Sequence, residues 1–478
     1  MKELKMYVDG TFIENQSGKW IDVVNPSTEE VISRMPDGTV SDAQRAIEAA
    51  AKAQGAWERI PAVQRAAYLI KMAEGIRKRA QELTDIIVRE GGKTQGLANV
   101  EVLFTADYLE YMAGWARRYE GEIIQSDRPH ENIFLFKKPI GVTTGILPWN
   151  FPFFLIARKA APALVTGNTI VIKPSQITPE NAYVFAQIVH ETGLPKGVFN
   201  IVNGKGTVIG RELAANPKVG MVSLTGSVSA GVQTMAAAAP NVTKVSLELG
   251  GKAPGIVLPD ADLDLAVKSI IASRVINTGQ VCNCCERVYV HASIREAFLE
   301  KVVAGMKAVR TGNPAETADL DMGPLVEAGA LKSVQEKVDK AVSQGARLLC
   351  GGKRIGTKGY FFEPTVLTDC TQGMDIIQEE TFGPVLPVVE YTDLEDAIAW
   401  ANDCEYGLTS SVYTQNLDVA FRLIRALKFG ETYINRENFE AMQGFHAGWR
   451  KSGIGGADGK HGLEEYLQTQ MVYLETRG

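Results

Sequence analysis

Cysteine is scarce in this chain, six residues in 478, too few for a disulfide framework. Long apolar runs are missing as well. None reaches the roughly 18 residues that a membrane span needs, and the nearest, Phe151 to Ala157, is stopped by Arg158 and Lys159. The opening stretch, Met1 to Asp9, has no apolar signal core. Neither sign of charge prevails: 50 basic against 56 acidic residues give a formal charge of −6, without the basic footprint of a nucleic-acid binder. No repeat or low-complexity linker occurs. These absences exclude a disulfide-stapled secreted module and a disordered chain. The expectation is a protein of a reducing cytoplasm, with small molecules as partners and neither nucleic acid nor membrane. What is present is ordinary globular usage, 45% apolar and 22% charged, in a length that predicts about three domains.

Helical and strand patterns alternate. Ser41 with Gln44 reads as a capping box before Ile47, Ala50 and Ala51. A long helix is expected from about Pro61, striped by Leu69, Met72, Ala73, Ile76, Ala80, Leu83 and Ile87, and stopped by Gly91-Gly92. From Gly141 short apolar runs end in turn residues: 142–147, 169–172, 198–202, 221–224 and 255–258. Helical stretches such as 178–191 and 394–402 lie among them. This order predicts an α/β fold with parallel sheets and crossover helices, whose ligands sit beyond the strands' carboxyl ends. Two strand-like segments, 122–138 and 466–474, read as arms, fit either to pair with a neighbouring chain or to form an edge hairpin within one subunit.

Several strings could carry chemistry. Cys282, Cys284 and Cys285 crowd together, too tightly for a usual zinc site. Buried structural thiols and a nucleophile behind the small turn Asn277 to Val281 both remain open. Glu248 ends a strand-like run before Gly250-Gly251, as a general base in a narrow site would, or as a surface carboxylate would. In Pro148-Trp149-Asn150-Phe151-Pro152 two prolines hold an amide still, which suits an oxyanion donor or a structural turn. Thr225-Gly226-Ser227, with Gly231 further on, follows a strand and opens a helix, a setting for a pyrophosphate, although the Gly-x-Gly-x-x-Gly spacing is absent.

Taken together and in order, the strings resemble the aldehyde dehydrogenase family over nearly the whole chain. To those above are added Lys173-Pro174-Ser175, Glu379-Glu380-Thr381-Phe382-Gly383-Pro384 and Lys451-Ser452-Gly453. The resemblance implies a Rossmann-like cofactor domain (1–120 and 140–250), an α/β catalytic domain (251–450) and an oligomerisation arm (121–139 and 451–478). It implies Cys282 as nucleophile, Glu248 as base, and Asn150 with the backbone N–H of Cys282 as oxyanion donors. Trp149, Lys173, Ser175, Gln176, Gly226, Ser227, Gly231, Glu380 and Phe382 fall at cofactor-binding positions. The implied cofactor is NAD, and the assembly a homo-oligomer, tetramer or dimer.

Two departures bear on specificity. Gln176 stands where many NAD-using relatives carry Glu, so a 2′-phosphate is not repelled and NADP stays open. Arg158 replaces the Trp of many relatives acting on apolar aldehydes, and His446 takes an aromatic lining position near Glu440. Arg158, Glu440 and His446 are therefore expected to line a narrow polar tunnel for a small hydroxyaldehyde. Asn435 to Lys460 is most similar to bacterial lactaldehyde and glycolaldehyde dehydrogenases. A succinate-semialdehyde-type enzyme is the alternative, since Arg158-Lys159 suits a carboxylate, unless Arg158 forms an ion pair with Glu440. A non-catalytic nucleotide-binding protein is a further alternative, against which stand the intact Cys282 and Glu248.

Overall fold

Runs such as Thr169-Ile170-Val171-Ile172 are buried on both faces, which only a sheet covered by helices on both sides permits. The computed structural model describes residues 1–477 and contains two such sheets. In the first, five parallel strands lie in the spatial order Lys244–Glu248, Met221–Thr225, Val142–Ile146, Thr169–Lys173 and Phe199–Ile201. Antiparallel strands edge it: Met6–Val8 with Thr11–Ile13 on one side, Gly453–Ile454 on the other. The chain runs outward in both directions from Val142–Ile146, so the topological switch point lies between that strand and Met221–Thr225. A crevice opens there, at the carboxyl ends.

The second sheet runs Arg347–Cys350, Thr365–Thr368, Val385–Tyr391, Cys285–His291, Ala253–Val257, Thr409–Tyr413 and Glu431–Ile434. It is parallel except for its first edge strand. A third, antiparallel sheet joins Leu467–Glu475, Glu131–Pro139 and Glu122–Ile124. A small one near the N-terminus joins Lys2–Glu3, Val31–Pro36 and Trp20–Val24.

Three expectations need correction. The capping box is made by Thr39 and Asp42, not Ser41 and Gln44: Asp42 Oδ2 accepts from the Thr39 backbone N–H at 2.9 Å, fixing the start of the helix Val40–Trp57. The long helix is two, Ala62–Lys78 and Ala80–Gly91, broken at Arg79, whose φ and ψ of −109° and 19° leave the helical region. The apolar stripe survives the break because Leu69, Met72, Ile76, Leu83 and Ile87 all enter one core. Finally, residues 451–466 do not belong to the arm. Gly453–Ile454 pairs with Lys244–Glu248, and Leu463 and Tyr466 are buried in the core of the first sheet. Among the described residues only Leu467–Glu475 of that segment pairs with the arm strand Glu131–Pro139.

One buried ion pair holds the turn that follows Val142–Ile146. Glu101, on the helix Gln95–Ala113, pairs with Lys93 and accepts from the backbone N–H groups of Phe153 and Phe154 at 2.9 and 3.1 Å. That carboxylate caps the N-terminus of the helix Phe154–Thr166, where the dipole favours it. Lys93 also donates to the Asn150 carbonyl at 2.7 Å. Glu101→Ala strands the buried Lys93, and the expected loss of stability is about 3–5 kcal/mol, read as a lower denaturant midpoint. An unchanged midpoint would contradict this account of the turn.

Candidate active site

The helix Leu263–Val275 is followed by Asn277, Thr278 and Gly279 at φ of 47°, 62° and 72°. Left-handed non-glycine residues cost on the order of 1–3 kcal/mol each and persist only where the surroundings fix them. Here Thr278 Oγ1 donates to the Gly323 carbonyl at 3.0 Å. Gln280 donates to the Asn277 carbonyl at 2.9 Å and accepts from the Val326 N–H at 2.9 Å. A Cβ on Gly279 would lie 2.3 Å from the Gly383 carbonyl oxygen, and one on Gly251 2.3 Å from that of Cys282. These two glycines are required by close approach. The loop delivers Cys282 half-exposed, while Cys284 and Cys285 are buried. Burial pushes both of their thiols up to about 12, so Cys282 is the thiol of the three that a substrate can meet.

A buried triad carries this loop and its neighbour. Glu286 meets Lys252 at 2.7 Å and Arg274 at 3.1 Å, and Arg274 donates to the Cys285 carbonyl at 3.1 Å. Burial alone would raise the Glu286 carboxyl, but the two cations hold it down at about 2. The same carboxylate accepts from the N–H groups of Thr381 and Phe382 at 2.9 and 3.1 Å. It thereby fixes Phe382 at φ 51°, with its ring edge-on to Trp149 at 5.6 Å between centroids.

Cys282 faces a narrow cavity of about 50 Å³ whose lining includes Asn150, Glu248, Arg158, Asn283 and Glu440. Phe104, Phe154 and Phe439 form its apolar wall. Asn150 donates one N–H to the Gln280 carbonyl at 3.0 Å, which leaves its second amide hydrogen for a ligand. Glu248, 5% exposed, accepts from Thr225 Oγ1 at 3.2 Å, and that hydroxyl accepts from Lys159 Nζ at 3.0 Å. Burial would raise the Glu248 carboxyl, yet Arg158, Lys159 and His446 pull it below its ordinary value, so it stands ionised at neutral pH.

The tunnel residues behave differently from expectation. Arg158 does form an ion pair, but its principal partner is Asp458, a residue the sequence did not single out. Asp458 contacts both Nε, at 2.9 Å, and the adjacent terminal nitrogen. Glu440 follows at 3.2 Å and Glu248 at 3.7 Å. One guanidinium thus meets three carboxylates. His446 does not line the cavity. It is 1% exposed, and its Nδ1 meets Glu431 Oε1 at 2.6 Å while its Nε2 has no partner. Burial would lower the imidazole, but the Glu431 carboxylate raises it well above 6.5.

The crevice at the switch point suits a dinucleotide. Ser227 caps the helix Val228–Ala238, accepting from the Ala230 N–H at 3.2 Å, so the free N–H groups of its first turn face the crevice. Gly226 donates to the Glu248 carbonyl at 3.0 Å, and a Cβ on Gly231 would lie 2.6 Å from Leu249, so Gly231 serves close packing. Lys173 is buried with one protein acceptor, the Pro174 carbonyl at 3.1 Å, and burial lowers its ammonium to about 8. An ammonium this poorly satisfied fits ribose hydroxyls. Beside it Ser175 Oγ accepts from the Ile177 N–H at 3.2 Å, and Gln176 is exposed. Glu380 accepts from the Gly251 N–H at 2.8 Å, and burial raises its carboxyl to about 7.

Fold and site therefore bring a half-buried thiol, a buried carboxylate and an amide into one cavity beside a crevice at the carboxyl ends of a parallel sheet. The chain belongs to the aldehyde dehydrogenase family, whose pattern matches residues 12–472. It is 67% identical to lactaldehyde dehydrogenase of Escherichia coli over 471 residues, 98% of each chain. A crystal structure of lactaldehyde dehydrogenase from Escherichia coli superposes with a TM-score of 0.98 at 66% identity, covering 99% of both chains. The structure of a 3,6-anhydro-L-galactose dehydrogenase in complex with NAP superposes with a TM-score of 0.97 at 44% identity, covering 99% of this chain and 100% of that one.

Sequence reasoning missed Asp458, Asn283, Glu431 and the Glu286 triad. Asn283, next to the nucleophile, donates to Glu440 and was open to inference from adjacency alone. Asp458 lies 300 positions from Arg158 and carried no local signal beyond an aspartate among glycines. The His446 pair has a pH signature. Since His446 is raised above its unfolded 6.5, its contribution to stability is complete below that pH and fades as pH climbs through the raised value. Glu431 is lowered from 4.5, so its contribution is present above 4.5 and fades in acid. The Tm gap between wild type and His446→Gln is expected to be widest between about pH 5 and 6.5 and to shrink in alkali. A gap that widens with rising pH would contradict the charged pair.

Proposed function

We propose that the chain oxidises a small hydroxyaldehyde, lactaldehyde or glycolaldehyde, to its carboxylate with NAD or NADP as hydride acceptor. The observation that carries this reading is the cavity at Cys282. It is narrow, and its one lining cation, Arg158, is already met by Asp458, Glu440 and Glu248. Hydroxyl groups of a two- or three-carbon substrate can exchange hydrogen bonds with Glu440, Asn283 and Arg158. An apolar chain offers them no such exchange. A succinate-semialdehyde-type substrate is disfavoured, because its carboxylate would enter a site where carboxylates outnumber guanidinium groups. The name of the 67% identical relative supports the same choice.

The residues divide the chemistry between them. The Cys282 thiolate forms a bond to the aldehyde carbon, and the carbonyl electron pair moves to oxygen. The second N–H of Asn150 and the backbone N–H of Cys282 stabilise that oxyanion. The nicotinamide of the bound cofactor supplies the acceptor for the hydride and its electron pair. The C–O double bond re-forms as the hydride leaves, and a thioester remains on Cys282. Glu248, ionised, takes a proton from water, which attacks the thioester carbon. The C–S bond breaks and returns the thiolate; the acid and Glu248 then each lose a proton to solvent, leaving the carboxylate product and the ionised base. Phe382 and Trp149 would form the aromatic wall by the nicotinamide, and Glu380 would hold its ribose. Lys173, Ser175 and Gln176 would hold the adenosine ribose, and Gly226, Ser227 and Gly231 the pyrophosphate.

The arm reads as an oligomerisation surface, in a tetramer or a dimer, because it leaves Ile123, Phe136, Met471, Tyr473 and Leu474 exposed. Among the described residues all six cysteines are free, which suits a reducing cytoplasm. Cys282→Ala is expected to abolish turnover while NAD still binds, as followed by protein fluorescence. Near-normal turnover would overturn the assignment. In a panel of aldehydes, kcat/KM for lactaldehyde or glycolaldehyde is expected to exceed that for succinate semialdehyde and for a long alkanal by at least about tenfold. The alkanal or the acid emerging as the best substrate would refute the polar cavity as specificity determinant.

A further inference from the structure

We propose that Lys93 is a positioning residue for the reaction, its buried ammonium holding Asn150 in register with the loop that delivers Cys282. The inference rests on the reading of Asn150 as an oxyanion donor. Lys93 lies just beyond the helix Ala80–Gly91 and is 2% exposed. An ammonium has three N–H donors and no acceptor. Three partners surround this one: the Glu101 carboxylate, the Asn150 carbonyl at 2.7 Å, and the face of Phe151, whose ring centroid is 3.6 Å from Nζ. Glu101 alone supplies the counter-charge. The bond to the Asn150 carbonyl is additional, and it is made to the residue whose side-chain amide shares the cavity with Cys282.

Asn150 is held at both ends. Its side-chain oxygen accepts from the Phe151 N–H at 3.1 Å, and one amide hydrogen goes to the Gln280 carbonyl at 3.0 Å. Its backbone carbonyl accepts from Asn277 Nδ2 at 3.3 Å as well as from Lys93. Asn277 and Gln280 belong to the loop ahead of Cys282. The main chain beside Lys93 meets that loop from the other side. A Cβ on Gly323 would lie 2.0 Å from the Gly92 carbonyl oxygen, and the Gly323 carbonyl accepts from Thr278 Oγ1 at 3.0 Å. A closed circuit thus runs from Thr278 through Gly323 and Gly92 to Lys93, and through Asn150 back to Asn277 and Gln280. Without the ammonium, the Asn150 carbonyl keeps only the long bond from Asn277. A donor misplaced by about 1 Å from the developing oxyanion costs on the order of a hundredfold in rate.

The double variant Lys93→Met/Glu101→Gln removes the ammonium without stranding a carboxylate, since the amide oxygen of Gln can still accept from the Phe153 and Phe154 N–H groups. Its Tm is expected within about 5 °C of wild type. Its kcat for glycolaldehyde is expected to fall at least about tenfold, with KM within about threefold. The rate of inactivation by iodoacetamide should stay within about twofold, because displacement at a methylene carbon forms no oxyanion. In an Asn150→Ala background, the same pair of changes is expected to alter kcat by less than about twofold, because the group that Lys93 positions is gone. Lys93→Gln, shorter and uncharged, is carried through the same cycle, so that the result does not hang on one variant folding. Three results overturn the inference: a wild-type kcat, an equal fractional loss in both backgrounds, or iodoacetamide inactivation slowed in step with kcat. None of these touches the proposed function. If Asn150→Ala by itself keeps the wild-type kcat, the assignment of Asn150 falls and takes this inference with it. If wild type oxidises no aldehyde, the proposed function falls as well.

Discussion

A single buried guanidinium, that of Arg158, ties the reactive centre together. It sits on the helix Phe154–Thr166, draws in Asp458 from near the C-terminus, Glu440 from the loop after the last strand of the second sheet, and Glu248 from the end of a strand of the first. Removing several charges from water is costly, and such clusters hold only when each partner is met. Here the arrangement also performs a task. It leaves Glu248 ionised beside Cys282, cancels the charge that would attract an acid, and presents Glu440 to the cavity as a hydrogen-bond acceptor. Asp458 accepts a left-handed backbone, φ 70°, to make this contact.

The rest of the geometry follows from two sheets meeting at their carboxyl ends. The first contributes Asn150, Ser227 and Glu248 from the loops and ends of neighbouring strands. The second contributes Cys282 just before the strand Cys285–His291, and Phe382 just before Val385–Tyr391. The Glu286 triad fastens the latter two segments to one another, so the positions of Cys282 and Phe382 are set by one buried carboxylate. The proposed reaction asks for such rigidity, because several groups would have to address one carbon in turn.

Much of this was legible in the sequence because the decisive features are local. Strand runs with turn residues behind them marked the parallel sheets, and the strings around Asn150, Glu248 and Cys282 marked residues that meet in one cavity. The helix break at Arg79 was hidden because the apolar stripe continues in phase across it. The cap at Thr39 was misplaced by two positions because Ser41 and Gln44 offer the same side-chain chemistry as the true pair. The end of the chain was misassigned for a different reason. Gly453–Ile454 is too short to announce itself as a strand, and its partner lies two hundred residues earlier. Ion pairs such as Arg158 with Asp458 and His446 with Glu431 depend on three-dimensional neighbours that no spacing rule supplies. His446 consequently looked like a cavity residue when it is a buried partner of Glu431.

The central claim is that Arg158 is withheld from the substrate by its carboxylates, and Asp458→Asn tests it most directly. The measurement is the ratio of kcat/KM for succinate semialdehyde to that for glycolaldehyde, in the variant and in wild type. With the principal counter-charge removed, Arg158 becomes available to an anionic substrate, and the ratio is expected to rise in favour of the acid by about tenfold. An unchanged ratio, or one that moves further toward glycolaldehyde, would contradict the claim.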